Sequence, residues 1–245
     1  MPILITGGTK GIGLGIAEHL AGRGEPLVLG WNADAAAAEA AVARLSAMGA
    51  KASAVQADVG EIAGCARLVR AAGELGGGPL HIVHAAAAVW PTRLLEVDLE
   101  AFTKAIQANG LSLLYLVQQA ELSRGSSIVF ITSAGARAVL PNYAALGCGK
   151  ALAESLVRYL VPELAPKGVR INAVAPGLVA TTSVAKMTGG EEAAERALER
   201  GARANPSGRL TEAADYGAMV EFLLGDGAQF VQGQVIQVNG GSWIG

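Results

Sequence analysis

Ile3-Leu4-Ile5-Thr6-Gly7-Gly8-Thr9-Lys10-Gly11-Ile12-Gly13 is the stretch on which the reading of the whole chain turns. An apolar run, short enough for a buried strand, ends in a cluster of glycines. A helical pattern follows at once, with Ile12, Ile16 and Leu20 on one face and a stop near Gly22 and Gly24. Strand, glycine turn and helix together bind a nucleotide pyrophosphate. Glycine lets the backbone approach the phosphates, and the helix N-terminus offers free N–H groups and a partial positive charge. The spacing is Gly7-x3-Gly11-x-Gly13 rather than G-x-G-x-x-G. A glycine turn can also be a mere connector, but its attachment to a buried strand favours the nucleotide site.

The totals agree with one α/β domain. The chain has 245 residues, of which 51% are hydrophobic, enough for a large core. Net charge is −2 and dispersed, which argues against a nucleic-acid surface. Cys65 and Cys148 have no metal-ligand spacing and no partners for a disulfide framework, so no metal is expected and a cytoplasmic setting fits. The first apolar stretch is the nucleotide-binding strand itself, not a leader. No run approaches about 18 apolar residues, so no membrane span is expected.

Further along, strands and helices alternate. Strands are predicted at 27–31, 51–57, 80–83, 127–133, 169–174 and 235–238, with helices at 35–48, 62–75 and 211–224 between them. Gly76-Gly77-Gly78-Pro79 breaks the second of these helices. Asp98 is placed to cap a long helix reaching about Ser123, within which Asn109-Gly110 is an odd polar interruption. Thr211 is predicted to cap the helix at 211–224, and Pro162 to end or kink the helix that runs through Leu152, Leu156 and Tyr159. Residues 182–205 are polar and alanine-rich and read as a helical flap. This alternation predicts a single Rossmann-fold domain, a doubly wound parallel sheet of seven strands with helices on both faces.

Preceded by Thr6, the glycine spacing resembles the short-chain dehydrogenase/reductase superfamily, and the resemblance covers essentially the whole of residues 1–245. It implies a nicotinamide cofactor held by Gly7, Thr9, Lys10, Gly11, Ile12, Gly13, Asn32, Asp58, Val59, Ala85, Lys150, Pro176, Gly177, Val179 and Thr181. An acidic residue directly after the second strand would favour NAD. Gly30, Trp31, Asn32 and Ala33 stand there instead, with Asp34 as a mild counter-argument, and Lys10 adds a cation, so NADP(H) is expected. Asp58-Val59 matches the family's pair beside the adenine, although an Asp after a strand is often only a helix cap. Where the family has Asn-Asn-Ala-Gly, this chain has His84-Ala85-Ala86-Ala87; His84 is read as a satisfied structural residue that hydrogen-bonds in place of an Asn. The resemblance also assigns Asn109 to a helical irregularity in a proton relay, and Ser133 to a hydrogen bond with the substrate oxygen.

The family signature Tyr-x3-Lys would require tyrosine four residues before Lys150, and that residue is Leu146. Tyr143 lies seven before it, about two helical turns, which returns to nearly the same face. Tyr-x6-Lys resembles the enoyl-ACP reductases, most closely the small type III kind. In the family mechanism lysine holds the nicotinamide ribose and lowers the phenol pKa, while tyrosine supplies the proton. Enoyl-thioester reduction delivers hydride to C3 while charge develops on the thioester oxygen at C1, so the donor must stand farther off than in ketone reduction. Cys148 lies between the two, has no histidine to activate it, and is expected to be a buried thiol.

Three functions remain open on the sequence. The first is NADPH-dependent reduction of an α,β-unsaturated acyl thioester, a small molecule or carrier-bound. The second is reduction of a carbonyl, a 3-ketoacyl or polyketide. The third is an NADP(H)-binding sensor or scaffold without turnover. The resemblance further implies a homo-oligomer, dimer or tetramer.

Overall fold

A computed structural model describes residues 1–76 and 78–244; Gly77, in the predicted break, and Gly245 lie outside the described residues. The strands are β1 Ile3–Thr6, β2 Leu27–Trp31, β3 Ala52–Gln56, β4 His81–His84, β5 Ser127–Ile131, β6 Arg170–Pro176 and β7 Val235–Val238. They form one sheet in the order β3-β2-β1-β4-β5-β6-β7, and every pairing is parallel. Strand order reverses between β1 and β4, and open α/β sheets generally receive ligands at the carboxyl ends of the strands at such a reversal.

The helices lie on both faces. They are α1 Gly11–Leu20, α2 Ala35–Ala47, α3 Ile62–Glu74, α4 Leu99–Ile106, α5 Ser112–Gln119, α6 Ala144–Leu164, α7 Thr182–Thr188, α8 Glu191–Ala204 and α9 Ala213–Leu224. Successive strand residues point to opposite faces, so the apolar runs feed two cores. Ile3, Ile5, Leu27, Leu29, Val83 and Val129 pack with Ile16 and Leu20 of α1 and Val220 of α9. Leu4, Val28, Ile82, Ile128 and Phe130 pack with Leu68 of α3, Leu113 of α5 and Val157 of α6. Each such side chain is worth about 1.5–3 kcal/mol when fully buried.

Several local expectations are corrected. The helix predicted from Asp98 to about Ser123 is two helices joined by a π-turn, Gln107–Leu111, and it ends at Gln119. Asp98 does cap its start, accepting from Ala101 N–H at 2.8 Å. α9 is capped by Glu212, not Thr211; Glu212 and Asp215 form a reciprocal capping box while Thr211 is buried. α6 does not stop at Pro162 itself but runs on to Leu164 and then tightens into a 3₁₀ turn. Residues 182–205 are two helices, parted at Gly189 and Gly190 by left-handed backbone with φ of 88° and 143°. Cys148 is exposed rather than buried, because it lies on the outward side of α6 with exposed Tyr159.

Two histidines of β4 are buried inside the sheet and are held neutral. His81 Nδ1 accepts from Ser127 N–H at 3.2 Å, and its Nε2 has no partner among the described residues. Burial, assisted by the positive charges of Arg23 and Arg170, pushes it down to about 4. Burial and then the Lys150 charge push His84 down to about 3. The unfolded chain takes up these protons near pH 6.5, where the folded chain refuses them. The stabilisation is therefore complete above about pH 6.5 and is lost as pH falls below it. Urea unfolding midpoints should drop between pH 7 and 5, and His81→Asn, which keeps an acceptor for Ser127, should flatten part of that slope. A midpoint unchanged over this interval contradicts the assignment.

Candidate active site

At the end of β1 the chain turns through Gly7 and enters α1. The α1 ladder begins with Leu14 N–H to Lys10 O at 3.2 Å, leaving the amides ahead of it to face out of the helix end. The turn is closed by backbone against backbone. A Cβ on Gly13 would run into the Gly7 carbonyl, and one on Gly7 would lie 2.9 Å from Ala86 N. Ile12 anchors the first turn of α1 against the core, as Val179 does for the loop after β6. That loop, carrying Pro176, Gly177, Val179 and Thr181, meets the glycine turn directly. A Cβ on Gly11 would stand 3.3 Å from Thr181 Cγ2. Thr9 is buried within the turn, and Ala85 N–H bonds back to Thr6 O at 3.2 Å.

Lys10 and Asn32 are exposed at the outer end of β2. Lys10 Nζ pairs with Asp34 Oδ2 at 2.8 Å, while Asp34 Oδ1 caps α2 by accepting from Ala37 N–H at 3.0 Å. Both Asp34 oxygens are thus engaged, and the Lys10 bond holds its carboxyl below the usual range. Asp58 is not a helix cap. Its Oδ1 accepts from Gly60 N–H at 2.8 Å, an Asx turn beside Ala108, and Val59 packs under it on the core.

His84 ties these parts together. Its Nδ1 lies 2.6 Å from Thr6 Oγ1 and its Nε2 lies 2.7 Å from Ser112 Oγ. The Ser112 hydroxyl already donates to Ala108 O at 2.8 Å, so His84 must donate from Nε2. Thr6 Oγ1 accepts from Ala86 N–H at 3.2 Å and gives its own proton to Nδ1. One neutral tautomer satisfies every group, as expected of a structural histidine standing for an Asn.

The π-turn presents Asn109, fully buried, to the loop after β4: Oδ1 accepts from Ala88 N–H at 2.8 Å and Nδ2 donates to Ala88 O at 3.0 Å. Its backbone presses on α6, where a Cβ on Gly149 would sit 2.5 Å from Asn109 Cβ. The expected irregularity is therefore present, wedged beside Lys150.

Tyr143 is the N-cap of α6, not a residue within it, with φ −99° and ψ 4°. Its hydroxyl donates to Ser133 Oγ at 3.1 Å, and burial raises its pKa against the lowering effect of that bond. Lys150 is buried in α6, donates to Ile131 O at 2.7 Å and lies 4.4 Å from the centre of the Phe130 ring. Burial pushes its ammonium down to about 7. Both side chains thus reach the carboxyl end of β5, two residues apart. Leu146, at the usual tyrosine position, is buried and offers no proton.

Three further features of the site carry little signal in the sequence. Glu154 is buried beside Ser133, bonded to Thr132 and Arg137. Asn142 adopts φ 59° just before Tyr143, and its carbonyl accepts from Thr92 N–H at 2.8 Å. A cleft of about 360 Å³ opens there, lined by Trp90, Thr92, Arg93, Val97 and Asn142. Only Leu-Pro-Asn before Tyr143 hints at a turn; the other contacts are made across the fold. No group of three His, Cys, Asp or Glu among the described residues is arranged to hold a metal ion.

A family model described as Enoyl-(Acyl carrier protein) reductase matches residues 7–242. The chain belongs to this family of short-chain dehydrogenase/reductases. It is 34% identical to the 1-cyclohexenylcarbonyl-CoA reductase of Streptomyces collinus over 97% of this chain and 85% of that one. The solved enoyl-[acyl-carrier-protein] reductase (NADH) of Aquifex aeolicus superposes with a TM-score of 0.86 at 28% identity, covering 98% and 95% of the two chains. A point variant of actinorhodin polyketide ketoreductase, solved with NADPH, superposes with a TM-score of 0.87 at 26% identity, covering 98% and 96%.

The glycine turn of this family member fits a dinucleotide, because side chains are excluded where a pyrophosphate approaches backbone. Gly13→Ala should therefore weaken nicotinamide dinucleotide binding tenfold or more, by roughly the cost of moving the turn. Gly22→Ala, with nothing within 4 Å of the new methyl, should leave it unchanged. Calorimetric titration of both variants checks this; equal affinities would remove the glycine turn from the binding site.

Proposed function

We propose that this family member is an NADPH-dependent reductase of α,β-unsaturated acyl thioesters, carried on acyl-carrier protein or coenzyme A. The observation that carries the reading is the displaced donor: Tyr143 bonds Ser133 from the N-cap of α6, and buried Leu146 leaves no hydroxyl at the nearer position. The name of the S. collinus relative, a reductase of an unsaturated acyl-CoA, supports the same chemistry.

In this reading the bound nicotinamide supplies hydride to C3 of the substrate. Gly7, Thr9, Gly11, Ile12 and Gly13 hold the pyrophosphate at the α1 terminus, and Asp58, Val59 and Ala85 flank the adenine side. Pro176, Gly177, Val179 and Thr181 hold the carboxamide end, and Lys150 holds the ribose. Tyr143 donates its hydrogen bond, or its proton, to the enolate oxygen at C1. Ser133 orients that phenol, and Asn109 fixes the loop at Ala88 that borders the substrate. α7 and α8 form the flap that selects the acyl group. A second copy of the chain covers the exposed Leu99 and Tyr159 on α4 and α6, giving a dimer or tetramer.

Preference for NADPH rests on Lys10, with Asp34 withdrawn from the ribose by its cap and its ion pair. Lys10→Ala should raise the Kd for NADPH about tenfold and leave that for NADH within twofold, since one exposed cation facing phosphate is worth on the order of 1 kcal/mol. A variant that loses both cofactors equally speaks against this role.

Carbonyl reduction is the second reading, favoured by the likeness to the polyketide ketoreductase. NADPH oxidation followed at 340 nm with a short enoyl thioester and the matching 3-ketoacyl thioester separates the two. Turnover of the enoyl substrate is expected, with Tyr143→Phe lowering kcat about 100-fold or more. Turnover of the keto substrate alone would assign Tyr143 to a ketone, and full activity of the phenylalanine variant would end its role as donor.

A further inference from the structure

Ser133 opens a 3₁₀ turn, Ala134–Ala136, and accepts from Gly135 N–H at 3.1 Å as its cap. This turn is the floor of the Tyr143 ring: a Cβ on Gly135 would stand 2.5 Å from two ring carbons. It is also pressed against α6, where a Cβ on Gly147 would stand 2.5 Å from Gly135 O. The two ends of this turn are gripped by a single carboxylate. Glu154 Oε1 accepts from Thr132 Oγ1 at 2.7 Å, immediately before Ser133. Glu154 Oε2 accepts from Arg137 Nε at 2.7 Å, immediately after the turn.

Glu154 is 3% exposed, and each of its two oxygens is met by a donor. A leucine there would serve core packing alone. Glu154 also lies one helical turn beyond Lys150 on the same helix, so α6 fixes the amine, the phenol at its cap and the turn beneath that phenol.

We propose that Glu154, acting with Arg137, is a positioning residue that straddles the Ser133 turn and sets the Ser133–Tyr143 hydrogen bond. The proposal rests on the reading of Tyr143 as the donor, and concerns how that donor is aimed.

Two variants and two readouts test it. Glu154→Gln keeps an acceptor for Thr132 but turns an amide N–H toward Arg137. Arg137→Met removes the other half of the pair at a side chain that is 36% exposed, where the core is not emptied. Each should lower kcat with the enoyl thioester on the order of ten- to a hundredfold, the scale set by misaiming a reacting group, and leave the KM for NADPH within twofold. The second readout needs no turnover. Ultraviolet titration of the cofactor-free protein, referenced to Tyr143→Phe, follows the Tyr143 phenolate. Loss of the Ser133 bond should move its ionisation to higher pH in both variants, because that bond lowers the phenol pKa.

An unchanged kcat and phenolate in Arg137→Met would overturn the proposal, even if Glu154→Gln failed to fold. A fall in kcat with the phenolate unmoved would also overturn it, leaving the pair a structural one, and a loss confined to the NADPH KM would reassign it to cofactor fit. Full activity of Tyr143→Phe is a separate result: it removes the donor, whatever the phenolate shows about the clamp.

Discussion

The imidazole of His84 is the crossbar on which the carboxyl edge of this sheet hangs. It stands at the last paired residue of β4, opposite Thr6 of β1, where the strand order reverses. Thr6 leads into the glycine turn, and Ser112 opens α5 directly after the π-turn. One ring therefore sets the distance between the glycine turn and the backbone that carries Asn109. Its partners fix a single neutral tautomer, and burial excludes the alternative charge. The ring also lies 5.5 Å from Phe130, whose face receives the Lys150 ammonium. A cation at His84 would be felt by that amine across one aromatic ring.

Much of this is legible in the sequence because it depends on local chemistry. A buried parallel strand announces itself as an apolar run, and β3 by its alternation of polar and apolar residues; the seven strands lie where these patterns predict them, to within a few residues. The glycine turn is legible because only glycine permits the Gly7–Gly13 approach. The displaced tyrosine is legible as a spacing, since Leu146 cannot ionise whatever surrounds it. His84 reads as a satisfied residue and is one, although nothing in the sequence says that Thr6 and Ser112 satisfy it.

What the sequence hides depends on partners distant along the chain. Cys148 follows the pattern of a small buried residue, yet its side of α6 turns outward. The cap of α9 moves from Thr211 to Glu212 because Asp215 reciprocates and because Thr211 is drawn inward beside Gly177. The spacing counts Tyr143 as two turns along a helix, but αL backbone at Asn142 delays the helix by one residue. Glu154 and Arg137 look like ordinary surface charges until β5 brings Thr132 and Ser133 beneath α6.

The π-turn has a consequence for how the two halves of this long helical segment are shared. An α-helix advances about 100° per residue, so one extra residue in a single turn rotates everything after it by about that angle. The apolar stripe before Gln107 and the stripe after Leu111 therefore aim at different neighbours. α4 packs on α6, whereas α5 packs chiefly on α3. A continuous helix of the same sequence would keep one heading and leave one of these contacts bare. The inserted residue thus works as a phase shifter: it turns one rod into two, facing different walls, and the seam between them is where Asn109 enters the site.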